Sequence, residues 1–299
     1  MSAPALPRSS PRLDPVSQDA WARLADLRTP GERQAALLAL LLTPDSAPER
    51  RAWQDATREV MRSPQVRDWV ASLPDCARLP ALEALLPACA AAPLAERQAM
   101  LLGLRRMMCA DGLVRPIDRL AWLVVRHRLS GPRRPPRSSQ GLPETLSQLP
   151  LALRQAIAHA TAYLARLVPG DPPQGTGLRV SAAGTQWHDT VIASVWGQHA
   201  APPQCQVPDN DQLVRAWQTL QQSLDWMTRP VLARLWTDAA ATRPGLLCHA
   251  DDALPVAAQA LWLACALLDT PLPPVLACHF PAAIHPTSRT GQEHDAVGT

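Results

Sequence analysis

No lysine occurs anywhere in the 299 residues, so every one of the 29 basic side chains is arginine. Aromatics are just as uneven, with one Tyr (Tyr163) and one Phe (Phe280) against 10 Trp. The 13 Gly are too few for a turn-rich β architecture. β-Branched residues are sparse beside Leu and Ala, which favours helices over strands. A net charge of +3 is too small to argue for nucleic acid by itself. The 7 Cys, an odd number, show no CxxC spacing, which excludes a knuckle and argues against a disulfide framework. Cys89, Cys109 and Cys265 fall in apolar helical runs and read as buried, reduced thiols. The N-terminal MSAPALPRSSPRLDP lacks the apolar stretch of a signal peptide. The longest uncharged apolar-rich run, 253–268, is short for a bilayer and carries Pro255 and Gln259. These absences together read as a cytoplasmic chain without a membrane span.

What is present is a globular composition, 47% apolar and 18% charged. The 32 Pro sit mostly between apolar-periodic runs and read as helix punctuation. Thr29-Pro30-Gly31-Glu32 reads as a capping box with Pro at the first helical position, and Ser46-Ala47-Pro48-Glu49 repeats the device. In 94–109, the positions of Leu94, Leu101, Leu104 and Met108 put them on one face. Further helices are expected near 79–91, 116–129, 150–168, 185–198, 211–223, 228–241 and 254–268. The fold class is therefore all-α and multi-helix. The expected divisions are a disordered leader (1–15), a first helical domain (16–130), a Pro/Arg linker (131–143), a second helical domain (144–276) and a tail (277–299).

Two segments echo one another. Ala110-Asp111-Gly112 leads through Pro116 into Trp122-Leu123, and Ala250-Asp251-Asp252 leads through Pro255 into Trp262-Leu263. Asp111 and Asp251 are separated by 140 positions, as are Trp122 and Trp262. Each copy follows an amphipathic segment, so the repeated unit is a helix, an acidic turn and a helix opened by proline.

The turn ADGLVRPID followed by an apolar helix resembles the ADGxhxxxE signature of TerB-like helical domains, h being apolar. Four segments in order resemble the cytosolic C-terminal half of bacterial membrane-anchored zinc metallopeptidases with HtpX-like catalytic domains. They are AALLALLLTPDSAPERRAWQ, LPALEALLPACAAAPLAERQAMLLGLRRMMCADG, the second acidic turn, and ALWLACALLDTPLPPVL. The resemblance implies two TerB-like helical repeats packed together, the second degenerate. It also implies a metal role for the acidic turn, with Asp118 standing where the family has Glu. The departures are as informative. None of the 8 His is followed by Glu, so the HExxH of such peptidases is absent, and the membrane helices are missing too.

Asp111 and Asp118 are the candidate metal ligands, carboxylates suited to a hard divalent cation. Asp111-Gly112 is also an ordinary turn pair, and Asp118 just inside a helix start complements the helix dipole. Ala258 replaces Asp118 in the second copy. Cys248-His249 and Cys278-His279, with His285, form a poor zinc set because adjacent residues rarely share one ion. His188-Asp189 is an i, i+1 pair that does not share a helix face, and PQGTG near 173–177 reads as linker. His127 and His159 read as ordinary helix histidines. No GxSxG, Walker or GxGxxG motif occurs, so no catalytic residue is assigned and the chain reads as not an enzyme. Trp53, Trp69, Trp122, Trp217, Trp236 and Trp262 read as core, unless a group of them lies exposed and marks a docking face.

Three readings follow. The first is a non-catalytic interaction or regulatory module with a protein partner, associated through the resemblance with a membrane peptidase or an envelope-stress system. The second is a TerB-like protein that binds or senses a divalent cation through Asp111 and Asp118. The third, nucleic-acid binding through 126–137 (RHRLSGPRRPPR), is disfavoured because no aromatic platform accompanies the arginines. The sequence names no small-molecule ligand.

Overall fold

Side-chain caps open five of the described helices. In the computed structural model, which describes residues 10–43, 45–131, 145–168, 179–197, 201–242 and 254–281, Asp14 accepts the backbone N–H groups of Val16 (2.8 Å) and Ser17 (2.9 Å) and opens α1 (Pro15–Ala25). Thr29 receives the Glu32 N–H at 3.2 Å and opens α2 (Pro30–Leu40), while Ser46 caps α3 (Ala47–Ala56). Neither start is the reciprocal box expected. The Glu32 carboxylate turns to Arg62, and that of Glu49 turns back to Thr43, so each box keeps only its hydroxyl arm. The expected leader also ends early, because Leu13 is already buried and Asp14 caps α1; residues 1–9 lie outside the described residues.

α4 (Ser63–Ala71) precedes α5 (Asp75–Ala90), which begins earlier than the proline pattern predicts and runs through both Pro80 and Pro87. Each proline removes one intrahelical donor. Burial of Leu79, Leu82, Leu85, Leu86 and Cys89 against α2, α1 and α7 outweighs that loss. α6 (Leu94–Met108) buries Met100, Leu104, Met107 and Met108, whereas Leu94, at its first position, is exposed, unlike the face expected from spacing. α7 (Pro116–Leu129) follows the acidic turn. α2 is the axis of this half, with Ala35, Ala36, Leu37 and Leu38 fully buried among α3, α4, α5 and α6.

A 3₁₀ turn (Leu146–Gln148) leads to α8 (Leu151–Leu164), α9 (Ala182–Trp196), α10 (Asn210–Ser223), α11 (Thr228–Ala241), α12 (Val256–Leu267) and α13 (Pro274–Ala277). Helices are the sole regular structure among the described residues, so the fold is all-α, as composition and periodicity predict. α8 packs along α10 and against α9, where Gly184 permits a close approach: a Cβ there would lie 2.1 Å from the Ala165 carbonyl oxygen. Asp209 and Gln212 form a complete capping box at α10, with bonds of 2.8 and 3.0 Å.

The helices that share the 140-residue offset, α7 and α12, pack on one another and join the two halves of the chain. Tyr163 adds a buried bond across the same seam, its hydroxyl donating to the Pro116 carbonyl at 3.0 Å. Hydrophobic residues from α1 to α13 form one continuous core. Trp217 and Trp236 meet edge-on within it at 6.1 Å, and the Trp236 indole donates to Thr161 Oγ1 at 2.9 Å. Most of linker 131–143, the second acidic turn at 250–253 and most of tail 277–299 lie outside the described residues.

Candidate functional site

The acidic turn is built by two different devices. Gly112, with φ of 76°, takes the left-handed conformation that lets the chain leave α6, and Asp111 Oδ1 accepts the Leu113 N–H at 2.9 Å. Asp111 is exposed and serves its own turn. Asp118 is buried, and its carboxylate accepts from the Arg115 backbone N–H (3.3 Å), from Arg115 Nε (2.8 Å) and from an Arg115 terminal nitrogen (3.0 Å). The structure thus gives the two predicted ligands separate hydrogen-bond duties. Among the described residues no group of three His, Cys, Asp or Glu is placed to hold a metal ion.

Arg115 carries this arrangement further. Its guanidinium also bonds Thr43 Oγ1 and lies 3.4 Å from Glu49 Oε1, on a glutamate that is only 1% exposed. The Glu49 carboxylate accepts the Thr43 N–H and O–H, both at 2.7 Å. Burial alone would depress the Arg115 pKa, but the bond to Asp118 and the charges of Asp118, Glu49 and Asp111 raise it. One cation therefore ties the start of α7 to the start of α3. Sequence reading reaches Asp118 but not Glu49, since 66 residues separate Glu49 from Arg115 and only Arg115 to Asp118 has a local spacing signal.

The remaining candidates resolve individually. His188 is fully buried, with Nδ1 3.0 Å from Asp189 Oδ1. His127 Nε2 and Arg128 reach Asp269 at 2.9 and 2.8 Å, so part of the basic segment is engaged inside the fold, while 132–137 lies outside the described residues. Asp269 is drawn below the usual carboxylate range: burial opposes this, and the His127 bond with the charges of His127, Arg128 and Arg229 outweighs it. Cys248, His249 and His285 lie outside the described residues. Burial pushes the Cys89 thiol up to about 11 and the Cys265 thiol to about 12, so both stay protonated at neutral pH. Cys109 departs from expectation: as the residue that ends α6 it is exposed.

The tryptophans divide by position. Trp53, Trp217, Trp236 and Trp262 are buried as expected, Trp69 and Trp122 are half-buried, and Trp226 is 69% exposed. Trp226 sits in the turn between α10 and α11, where Asp225 fixes the backbone: its carboxylate accepts the Met227 N–H at 2.8 Å and its carbonyl accepts the Thr228 N–H at 3.0 Å. Behind the turn, buried Arg229 donates to the carbonyls of Leu224 (3.1 Å), Leu268 (3.0 Å) and Gln221 (2.7 Å). This rigid base presents Trp226 with Met227 (48% exposed) and, one helical turn on, Val231 (54% exposed). Sequence periodicity misses Trp226 because it belongs to no helical run, although an aromatic beside a methionine in a turn is itself a signal. Across the described residues no helix is long and apolar enough to cross a membrane. Compared with protein-family models, curated proteins and solved structures, the chain matches none.

Proposed function

We propose that this chain is a non-catalytic helical module that docks a protein partner through the turn at the start of α11. The observation that carries the reading is Trp226, exposed with Met227 and Val231 on a turn locked by Asp225 and Arg229. An exposed tryptophan on a preorganised base is the typical anchor of a protein interface. Covering the open part of the indole alone would contribute about 3 kcal/mol. The resemblance to the cytosolic half of HtpX-like peptidases supports a cytoplasmic module and names the partner class: a membrane-anchored peptidase or another protein of an envelope-stress system.

The test is photo-cross-linking in cells from a benzophenone side chain placed at Met227, with and without Trp226→Ala. A discrete adduct that Trp226→Ala abolishes is expected. No adduct, or one indifferent to Trp226, would count decisively against the docking surface.

A further inference from the structure

At the other end of α10, about 20 Å from Trp226 along the helix, a cleft of about 400 Å³ opens between α7, the end of α6 and the start of α10. Its size is that of a small-molecule site. Arg119, Trp122 and Arg126 recur at helical spacing and line one wall, Arg105 comes from α6, and Leu213 and Val214 of α10 lie opposite. None of the three arginines forms an ion pair among the described residues. Arg119 bonds the neutral side-chain oxygen of Asn210, and Arg126 lies over the Trp122 ring at 5.2 Å. Two carboxylates share the lining: Asp118, already held by Arg115, and exposed Asp211.

We propose that this cleft binds a small organic anion, a carboxylate or phosphate head carried on an apolar body. The head is met by the guanidinium forks of Arg105 and Arg119, which match the planar geometry of such groups. The apolar body lies on Trp122, Leu213 and Val214. Half-buried Arg166 has its basicity lowered chiefly by burial, with Tyr163 opposing and the charge of Arg119 adding a smaller part. This site stands independently of the Trp226 surface.

Isothermal titration of the full chain with decanoate, decyl phosphate, 1-decanol and inorganic phosphate tests it. One of the two amphiphilic anions is expected to bind at a single site, and the tighter of them identifies the head group. Arg119→Gln and Arg105→Gln should each weaken it about tenfold; Arg105 is exposed, so its variant folds even where Arg119→Gln does not. Arg28→Gln, at an exposed arginine paired with Asp26, should leave binding unchanged. Equal binding of 1-decanol, equal binding of inorganic phosphate, indifference to Arg105, or no binding at all overturns the assignment.

Discussion

Replacing Arg115 by methionine keeps the bulk of the side chain and removes the cation between two buried carboxylates. Asp118 loses the bonds at 2.8 and 3.0 Å, and Glu49, 1% exposed, loses the guanidinium at 3.4 Å. Breaking a fully buried pair costs about 3–5 kcal/mol. The Arg115 side chain is 39% exposed, so solvent screens part of its charge. Glu49 also keeps both Thr43 donors, and Asp118 keeps the Arg115 backbone N–H. The expected loss is therefore smaller, about 2 kcal/mol, which lowers Tm by roughly 5 °C in a chain of this size. Urea unfolding followed by tryptophan fluorescence measures it. Glu49→Gln in the Arg115→Met background should recover about 1 kcal/mol of the summed single losses, because it removes the stranded charge. A loss below about 0.5 kcal/mol for Arg115→Met, or strict additivity in the cycle, would refute the idea that one arginine clamps α7 to α3.

Gly184→Ala should destabilise by about 2 kcal/mol despite the better helix propensity of Ala, because the new Cβ meets the Ala165 carbonyl; calorimetry checks it. Since Asp269 has its pKa lowered in the fold, it stabilises above its unfolded value, and that contribution is lost as pH falls below about 4. Asp269→Asn should flatten this acid limb in a series of urea titrations. Iodoacetamide should modify Cys109 in the native protein while Cys89 and Cys265 react only on unfolding, as peptide mass mapping would show. If Asp118 is committed to Arg115, calcium, magnesium, manganese and zinc should leave Tm unchanged; a shift that Asp111→Ala removes would restore the metal reading.

The helical class was legible because Leu- and Ala-rich periodicity and cap residues act locally, and Asp209 to Gln212 shows that local chemistry complete. Prolines misled at α5, where packing of Leu82 and Leu86 overrides the lost donors at Pro80 and Pro87. Capping boxes at Thr29 and Ser46 were half right, since Glu32 and Glu49 have long-range partners that spacing cannot reveal. The acidic turn was found, but its commitment to Arg115, Glu49 and Thr43 depends on two helix starts meeting in space. Trp226 escaped for the opposite reason: a pattern search for helical faces passes over a turn.

The most direct test of the docking account is the in-cell cross-link from Met227, compared between the native chain and Trp226→Ala. A single protein adduct that disappears with the indole is the predicted result. A native chain that yields no adduct, or an adduct of equal yield without Trp226, would contradict it.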